Sequence, residues 1–293
     1  MTEVDVDGRT LTLSNLDKVL YPDTGFTKAG VVDYYARIAP VLLPHLHGRP
    51  LTLVRYPDGV TGKSFFEKRR PPSAPDWIPI GGELGSVLCE EPAALVWLAN
   101  LAALELHTHQ STQAAPDLPT AVVLDLDPGA PATVFDCARV ALDLQSVLER
   151  LDLAAVVKTS GSKGLHVSVP IATGTADDAA TKAFALALGR LLAEAAPDRV
   201  TIAMAKEQRV GRVFVDWSQN DRHKTTVAPY SLRARTRPTV STPLTWDEVR
   251  QAVESGDPES VTFEADQVLA RVVALGDLYA ANLDTRQELP VLA

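Results

Sequence analysis

A chain of 293 residues, 46% hydrophobic with a mean hydropathy of +0.02, has the composition of a globular protein with a sizeable core. Its formal charge of −9 argues against a protein that coats nucleic acid indiscriminately. The opening MTEVDVDGRT has neither a basic nor an apolar leader region, and no apolar run approaches the ~18 residues of a membrane span, so a cytosolic location without a membrane partner is expected. Cys89 and Cys137 lack metal-site spacing and read as buried thiols in a reducing compartment.

In chain order, Val4 to Leu13 reads as a β-hairpin turning at Asp7-Gly8. Thr27 is placed to cap a helix whose apolar face is Val31, Tyr35, Ile38 and Leu42. Leu51–Arg55 reads as a strand ending at the turn Pro57-Asp58-Gly59, and Phe65–Gly85, rich in Pro and Gly, as surface loop. Pro92 opens a helix expected to run through Leu95, Leu98, Ala102 and Leu106. Strands are then expected at Ala121–Leu126, Ala155–Thr159, Leu165–Pro170, Arg212–Asp216 and Thr225–Ala228. Helices are expected over Ala132–Leu151 and Asp177–Ala195, and two acidic helices close the chain. Strands broken by single helices predict a mixed α/β sheet as the catalytic platform.

Charge is uneven along the chain. Between Thr201 and Val240 eight Lys/Arg stand against three acids, whereas Ser241 to the end carries three arginines against ten acids. A basic segment followed by an acidic tail fits a local polyanion site better than a uniformly basic face.

Three segments carry chemistry. In Val-Val-Leu-Asp125-Leu-Asp127-Pro-Gly, strand alternation puts both carboxylates on one face and Leu124 and Leu126 on the other. Paired carboxylates repel unless a cation sits between them, and hard divalent ions are the natural partner; an acidic strand end before a Pro-Gly turn is the plain alternative. In Thr159-Ser160-Gly-Ser162-Lys163-Gly-Leu-His166, small residues let backbone N–H groups approach an anion and Lys163 adds a point charge. The glycine spacing is not that of a Walker loop, and an ordinary Ser/Gly hairpin turn reads as well for this segment alone. In Val213-Phe-Val-Asp216-Trp-Ser-Gln219-Asn, an acid at the end of an apolar strand can supply a third metal ligand from a neighbouring strand.

As an ordered set, Asp-x-Asp, Ser-x-Ser-Lys-Gly-x-His and a strand-borne Asp closely resemble the polymerase domain of bacterial ligase D, a branch of the archaeo-eukaryotic primase superfamily. Matching segments run through most of the chain: Ser14-Asn15-Leu-Asp-Lys18-Val-Leu-Tyr21-Pro, Thr27-Lys28, Asp33-Tyr-Tyr, Phe65-Phe66-Glu-Lys, Ser73-Ala-Pro, Leu104-Glu-Leu-His107, and Lys224-Thr-Thr-Val-Ala-Pro-Tyr-Ser-Leu-Arg233. The resemblance implies a single primase-polymerase domain over 1–293, of mixed and antiparallel sheets flanked by helices with an RRM-like catalytic module. Within it, 1–115 would bind DNA and the 5′-phosphate, 116–240 would hold the acid triad, and 241–293 would be helical.

The roles it implies are specific. Asp125, Asp127 and Asp216 would bind two Mn²⁺ or Mg²⁺ ions that activate the primer 3′-hydroxyl and steady the departing pyrophosphate. Ser160, Ser162, Lys163 and His166 would hold the incoming ribo- or deoxyribonucleoside triphosphate, with Arg233 and Gln219 lending donors, His107 against the sugar and Arg209 close to template or triphosphate. Asn15, Lys18 and Lys28 would grip the 5′-phosphate across a gap or nick, and Phe65 and Phe66 would stack on bases. The implied activity is short-patch gap filling, often with ribonucleotides, in excision repair or end joining, by a nucleoid-associated monomer beside a separate ATP-dependent DNA ligase and Ku.

Departures and alternatives bound this reading. The chain ends without ligase or nuclease sequence, as a standalone polymerase or an excised domain would. The segment between Trp77 and Pro92 is shorter than in end-joining members and has no Arg or Lys, and position 54 is Val where a basic residue is expected. Gap filling is therefore expected to outperform the bridging of separate ends, with Glu83, Glu90 and Glu91 adding repulsion. A strand ending in Asp-x-Asp also suits a phosphatase of the haloacid dehalogenase type, but here it lies mid-chain and runs into Pro128-Gly129. A catalytically silent DNA-end-binding module is the third class. His107 and His109 share a face if extended, which suggests zinc only with a third ligand, and none stands at useful spacing.

Overall fold

The computed structural model describes residues 1–290, so Val291, Leu292 and Ala293 of the expected C-terminal part lie outside the described residues. The chain forms two compact units, each assembled from separate stretches. The first comprises Met1–Ala114, Thr225–Ser241 and Phe263–Gly276; the second comprises Ala115–Lys224, Thr242–Thr262 and the chain from Asp277 onward. Both mix helices with mainly antiparallel sheet, so the fold is mixed α/β.

In the first unit, strands Thr2–Val6 and Arg9–Leu13 pair around Asp7 (φ 50°) and Gly8 (φ 80°). Positive φ at both turn residues matches the right-handed twist of the strands, and Asp-Gly tolerates it. The Thr27 hydroxyl accepts the Gly30 N–H at 3.3 Å and starts the helix Lys28–Leu46, which buries Val31, Tyr34, Tyr35, Ile38 and Leu42. Tyr34 and Tyr35 donate their hydroxyls to the carbonyls of Tyr230 and Leu104, both at 2.7 Å. Their apolar rings are thereby buried without leaving a polar atom unmatched.

The sheet beside that helix has four antiparallel strands in the order Thr226–Val227, Ala103–Thr108, Leu51–Arg55, Phe65–Glu67. Two expectations are corrected here. The helix opened by Pro92 ends at Asn100, and Ala103–Thr108 is a strand. Ala102 at φ 55° breaks the helical path, and an unbroken apolar run does not by itself separate buried helix from buried strand. The Phe65–Gly85 stretch is not all loop: Phe65–Glu67 is an edge strand, and Ile80–Gly81 pairs with Ser86–Val87 as a small hairpin.

The second unit is built on a six-stranded sheet in the order Val200–Thr201, Val213–Asp216, Ala121–Pro128, Leu165–Pro170, Val156–Thr159, Pro243–Leu244. Only the first pair is parallel. Helices Val134–Arg150 and Asp178–Ala195 pack against the central strand Ala121–Pro128. They cover its apolar alternation, Val122, Leu124 and Leu126, each 0% exposed; such burial contributes roughly 1.5–3 kcal/mol per large aliphatic side chain. Thr133 and Asp136 form a reciprocal cap at the start of the first of these helices, and Asp177 caps the second. The helix Trp246–Ser255 is acidic, as expected, whereas Ala265–Leu275, in the first unit, balances Asp266 with Arg271. Among the described residues no helix is long and apolar enough to cross a membrane.

Candidate active site

Register brings the sequence motifs together in the second unit. Asp125 stands directly opposite His166 on one side and Asp216 on the other, and His166 in turn stands opposite Lys158. Directly opposed residues on neighbouring strands share a face. Lys158, His166, Asp125 and Asp216 therefore form one row across four strands, and Asp127, two residues along, shares that face. The three acids singled out from the sequence thus lie side by side, on the face opposite the buried Leu124 and Leu126.

The three acids sit in different surroundings. Asp125 Oδ1 lies 3.3 Å from His166 Nε2. Asp216 is buried; its Oδ1 accepts from the Ser218 backbone N–H (3.0 Å) and hydroxyl (2.6 Å), and its Oδ2 accepts from Gln219 Nε2 (2.8 Å). Asp216 is thus the cap of the short turn Trp217–Asn220. Gln219, expected among the triphosphate donors, here donates to that acid. Trp217 packs its ring beneath the Lys182 ammonium, 5.6 Å from the ring centroid, with its buried indole N–H lacking an acceptor among the described residues. Asp127 is exposed at the strand end.

The donor set fits a hard divalent cation, because carboxylate oxygens are what Mg²⁺ and Mn²⁺ take. The negative field of the pair reaches the far side of the strand: burial first, then the charges of Asp127 and Asp125, push the Cys137 thiol well up from its ordinary value. Among the described residues no three such groups converge into a ready-made cage, consistent with Asp216 being turned onto Ser218 and Gln219.

The Ser160–Gly164 turn lies beside this row. The Ser160 hydroxyl accepts the N–H groups of Ser162 (3.2 Å) and Gly164 (3.1 Å), so it shapes the turn, while Ser162 and Lys163 are exposed. A Cβ on Gly164 would come within 2.0 Å of the Leu126 carbonyl oxygen. Only glycine lets the turn approach the strand segment between the two aspartates this closely. Arg209 folds its guanidinium over the Phe214 ring at 3.6 Å and donates to the carbonyls of Ala203 and Met204.

The other expected residues lie in the first unit. His107 donates through Nε2 to Glu105 at 3.0 Å, and Arg233 pairs with the same carboxylate at 3.1 Å. Burial alone would raise the Glu105 pKa, but the His107 hydrogen bond and the Arg233 charge overcome it and hold the carboxyl down to about 2. Near the amino end, Asn15 (φ 52°) begins a turn whose Lys18 carbonyl accepts the Lys28 N–H at 2.8 Å, which sets both lysines at the start of the first helix. Burial, then the charges of Lys18 and Arg55, lower the Lys28 pKa. Lys18 pairs with the exposed Asp58 at 2.8 Å. Phe65 and Phe66 are 43% and 67% exposed on the edge strand, with Arg55 5.1 Å from the Phe65 ring centroid.

The segment between Trp77 and Pro92 differs from expectation in one respect. Glu90 accepts the Gly48 N–H at 2.9 Å and pairs with His47, and Glu91 pairs with Arg9 at 3.0 Å. Two of the three acids expected to repel DNA therefore have partners within the unit; Glu83 lies at the exposed hairpin tip.

Sequence reasoning missed Lys158, Glu105 and Ser218. Leu104-Glu105-Leu106-His107 held a readable signal, since alternation puts Glu105 and His107 on one face. A lysine inside the apolar Val156–Thr159 was a weaker one.

Comparison with known proteins gives a consistent result. A family model described as LigD, primase-polymerase domain, matches residues 27–279. The multifunctional non-homologous end joining protein LigD of Mycolicibacterium smegmatis is 43% identical over 92% of this chain, which covers 35% of that protein. The corresponding DNA repair protein of Mycobacterium tuberculosis H37Rv is 42% identical over 92% of the chain and 36% of its own length. The chain thus spans about a third of these relatives. The polymerase domain of Mycobacterium tuberculosis ligase D, solved in complex with DNA, superposes with a TM-score of 0.86 at 40% identity, covering 94% of this chain and 99% of that one.

Proposed function

The chain belongs to the LigD primase-polymerase domain family, metal-dependent nucleotidyltransferases of DNA repair, and from that premise we propose that it fills short gaps bearing a downstream 5′-phosphate. The observation that carries the reading is the row of Asp125 and Asp216 on adjacent strands, with Asp127 on the same face. Neither a haloacid-dehalogenase-type phosphatase nor a silent end-binding module is favoured by the relatives.

In this reading Asp125, Asp127 and Asp216 hold two Mn²⁺ or Mg²⁺ ions, which would polarise the attacking 3′-hydroxyl and stabilise charge on the pyrophosphate. The chain's own groups do the rest. The exposed Lys163, on the turn that Ser160 shapes, receives the polyphosphate of a nucleoside triphosphate, with Ser162, His166, Gln219 and Arg209 as further donors. In the first unit, His107 and Arg233, locked by Glu105, serve as sugar and phosphate contacts. Asn15, Lys18 and Lys28 take the 5′-phosphate, supported by the mutual repulsion of Lys18, Lys28 and Arg55 that a phosphate dianion would relieve. Phe65 and Phe66 supply stacking surface. Ribonucleotides are the preferred substrate, a separate ATP-dependent ligase and Ku the partners, and the cytoplasm, at the nucleoid, the location. The family match runs through both units, which supports treating them as one functional domain.

The test is extension of a gapped duplex with and without the 5′-phosphate, supplied with ribo- or deoxyribonucleotides. Asp125→Ala or Asp216→Ala should leave DNA binding largely intact and slow extension roughly a thousandfold, the equivalent of about 4 kcal/mol of lost transition-state stabilisation. Wild-type extension by either variant would remove the metal-site assignment.

A further inference from the structure

The acid row continues past His166 to a side chain that the polymerase reading does not use. Lys158 is 3% exposed, and its Nζ lies 3.1 Å from His166 Nδ1. On the other edge of the same imidazole, Nε2 faces Asp125 Oδ1 at 3.3 Å. Burying an ammonium costs several kcal/mol unless the surroundings compensate, so its place at the end of this row calls for a reason.

We propose that Lys158 is a positioning residue that fixes the tautomer of His166. A lysine ammonium has only donors. Donating to Nδ1, it leaves that nitrogen its lone pair and confines the ring proton to Nε2. The proton then sits on Nε2, the ring nitrogen 3.3 Å from Asp125 Oδ1, at the edge of the metal-binding face. Without Lys158 the neutral ring can also carry its proton on Nδ1, which would turn a lone pair toward the carboxylate and repel it. The lysine acts on Asp125 and the incoming polyphosphate through the ring: it keeps the protonated nitrogen, not the bare one, on the side of the negative groups there. The polyphosphate part of this inference rests on the polymerase reading; the tautomer does not. It is the arrangement by which a second hydrogen bond to an imidazole decides which nitrogen is protonated, with a buried cation as the partner.

The experiment has two independent readouts. In metal-free, nucleotide-free wild-type protein labelled with ¹⁵N-histidine, long-range ¹H–¹⁵N correlation at neutral pH should show His166 with a pyridine-like Nδ1 and a protonated Nε2. An Nδ1–H tautomer, or a doubly protonated ring, in the wild type would overturn the proposal without any variant being made. Lys158→Met, which keeps length and removes the donor, should lose the single tautomer, and Lys158→Arg should retain it. In gap extension, Lys158→Met should raise the KM for the nucleotide by about tenfold, the scale of one charge-assisted hydrogen bond, with affinity for gapped DNA unchanged and Lys158→Arg closer to wild type. Wild-type tautomer and KM in Lys158→Met would refute the assignment. A wild type that shows the Nε2–H tautomer yet extends no primer would instead refute the polymerase reading alone.

Discussion

At the scale of single residues, the chemistry depends on groups that touch one another only after folding. Asp125 and Asp127 were legible because strand alternation is written into Asp-x-Asp, and Asp216 because it ends an apolar strand. Lys158 and Ser218 were not legible, since their roles arise from cross-strand register and from a turn cap. Glu105 has a consequence that can be measured. Its carboxyl is held down to about 2 from an ordinary 4.5 by His107 and Arg233 against the opposing effect of burial. A carboxyl depressed in the folded state stabilises the fold at pH above its ordinary value, and that stabilisation is lost as pH falls toward 2. The shift corresponds to about 3 kcal/mol. Glu105→Gln should therefore be less stable than wild type at neutral pH by chemical denaturation, and the two unfolding curves should converge as pH falls from 4.5 toward 2. A constant difference across that range would mean the pairing does not hold the charge.

At the scale of elements, the sequence predicted the helices with clear caps and lost the boundary where composition was uniform. From Ala93 to Leu106 the chain is almost entirely apolar, so helix and strand share one pattern, and a backbone turn at Ala102 decides between them. The start of the first helix was legible through Thr27, but its pairing with the Asn15–Lys18 turn depends on backbone hydrogen bonds that composition does not encode. That junction carries a prediction. Asp58 occupies the Lys18 ammonium at 2.8 Å, where a 5′-phosphate would compete for it. Asp58→Asn should raise affinity for a 5′-phosphorylated gap several-fold while leaving the 5′-hydroxyl substrate nearly unchanged, because an exposed ion pair is worth only about 0–1 kcal/mol. Lys18→Ala combined with Lys28→Ala should abolish the preference for phosphate and flatten the salt dependence of binding. A double variant that still prefers phosphate by the wild-type margin would locate the pocket elsewhere.

At the scale of the whole molecule, a net charge of −9 means that the proposed binding to DNA would depend on a few placed cations rather than on a basic surface. The sequence conveyed this through its basic 201–240 stretch and acidic tail. It did not convey that Glu90 and Glu91 would be engaged by His47, Gly48 and Arg9. Bridging two separate duplexes brings phosphate backbones together and needs cations where they meet, whereas a gapped duplex is already joined through its template. With Glu83 and no Lys or Arg within the Ile80–Val87 segment, gap filling should exceed extension of two separate ends with short complementary overhangs at equal salt. Glu83→Lys should narrow that difference by improving only the second reaction. Equal extension of both substrates by the wild type would show that bridging is not governed by this hairpin.

If Asp216 holds a metal ion as proposed, the turn it caps would make the protein its own optical sensor. Trp217 follows the acid directly, and the hydrogen bonds from Ser218 and Gln219 to Asp216 close the turn that carries its indole. A cation that recruits the Asp216 carboxylate would compete with those same donors, and the turn would loosen as the ion binds. Mg²⁺, which is diamagnetic and does not quench by itself, should therefore shift the emission of Trp217 in a saturable way. The change should be lost in Trp217→Phe and kept in Trp246→Phe. Occupancy of the proposed metal site could then be followed by light alone, before any DNA or nucleotide is added.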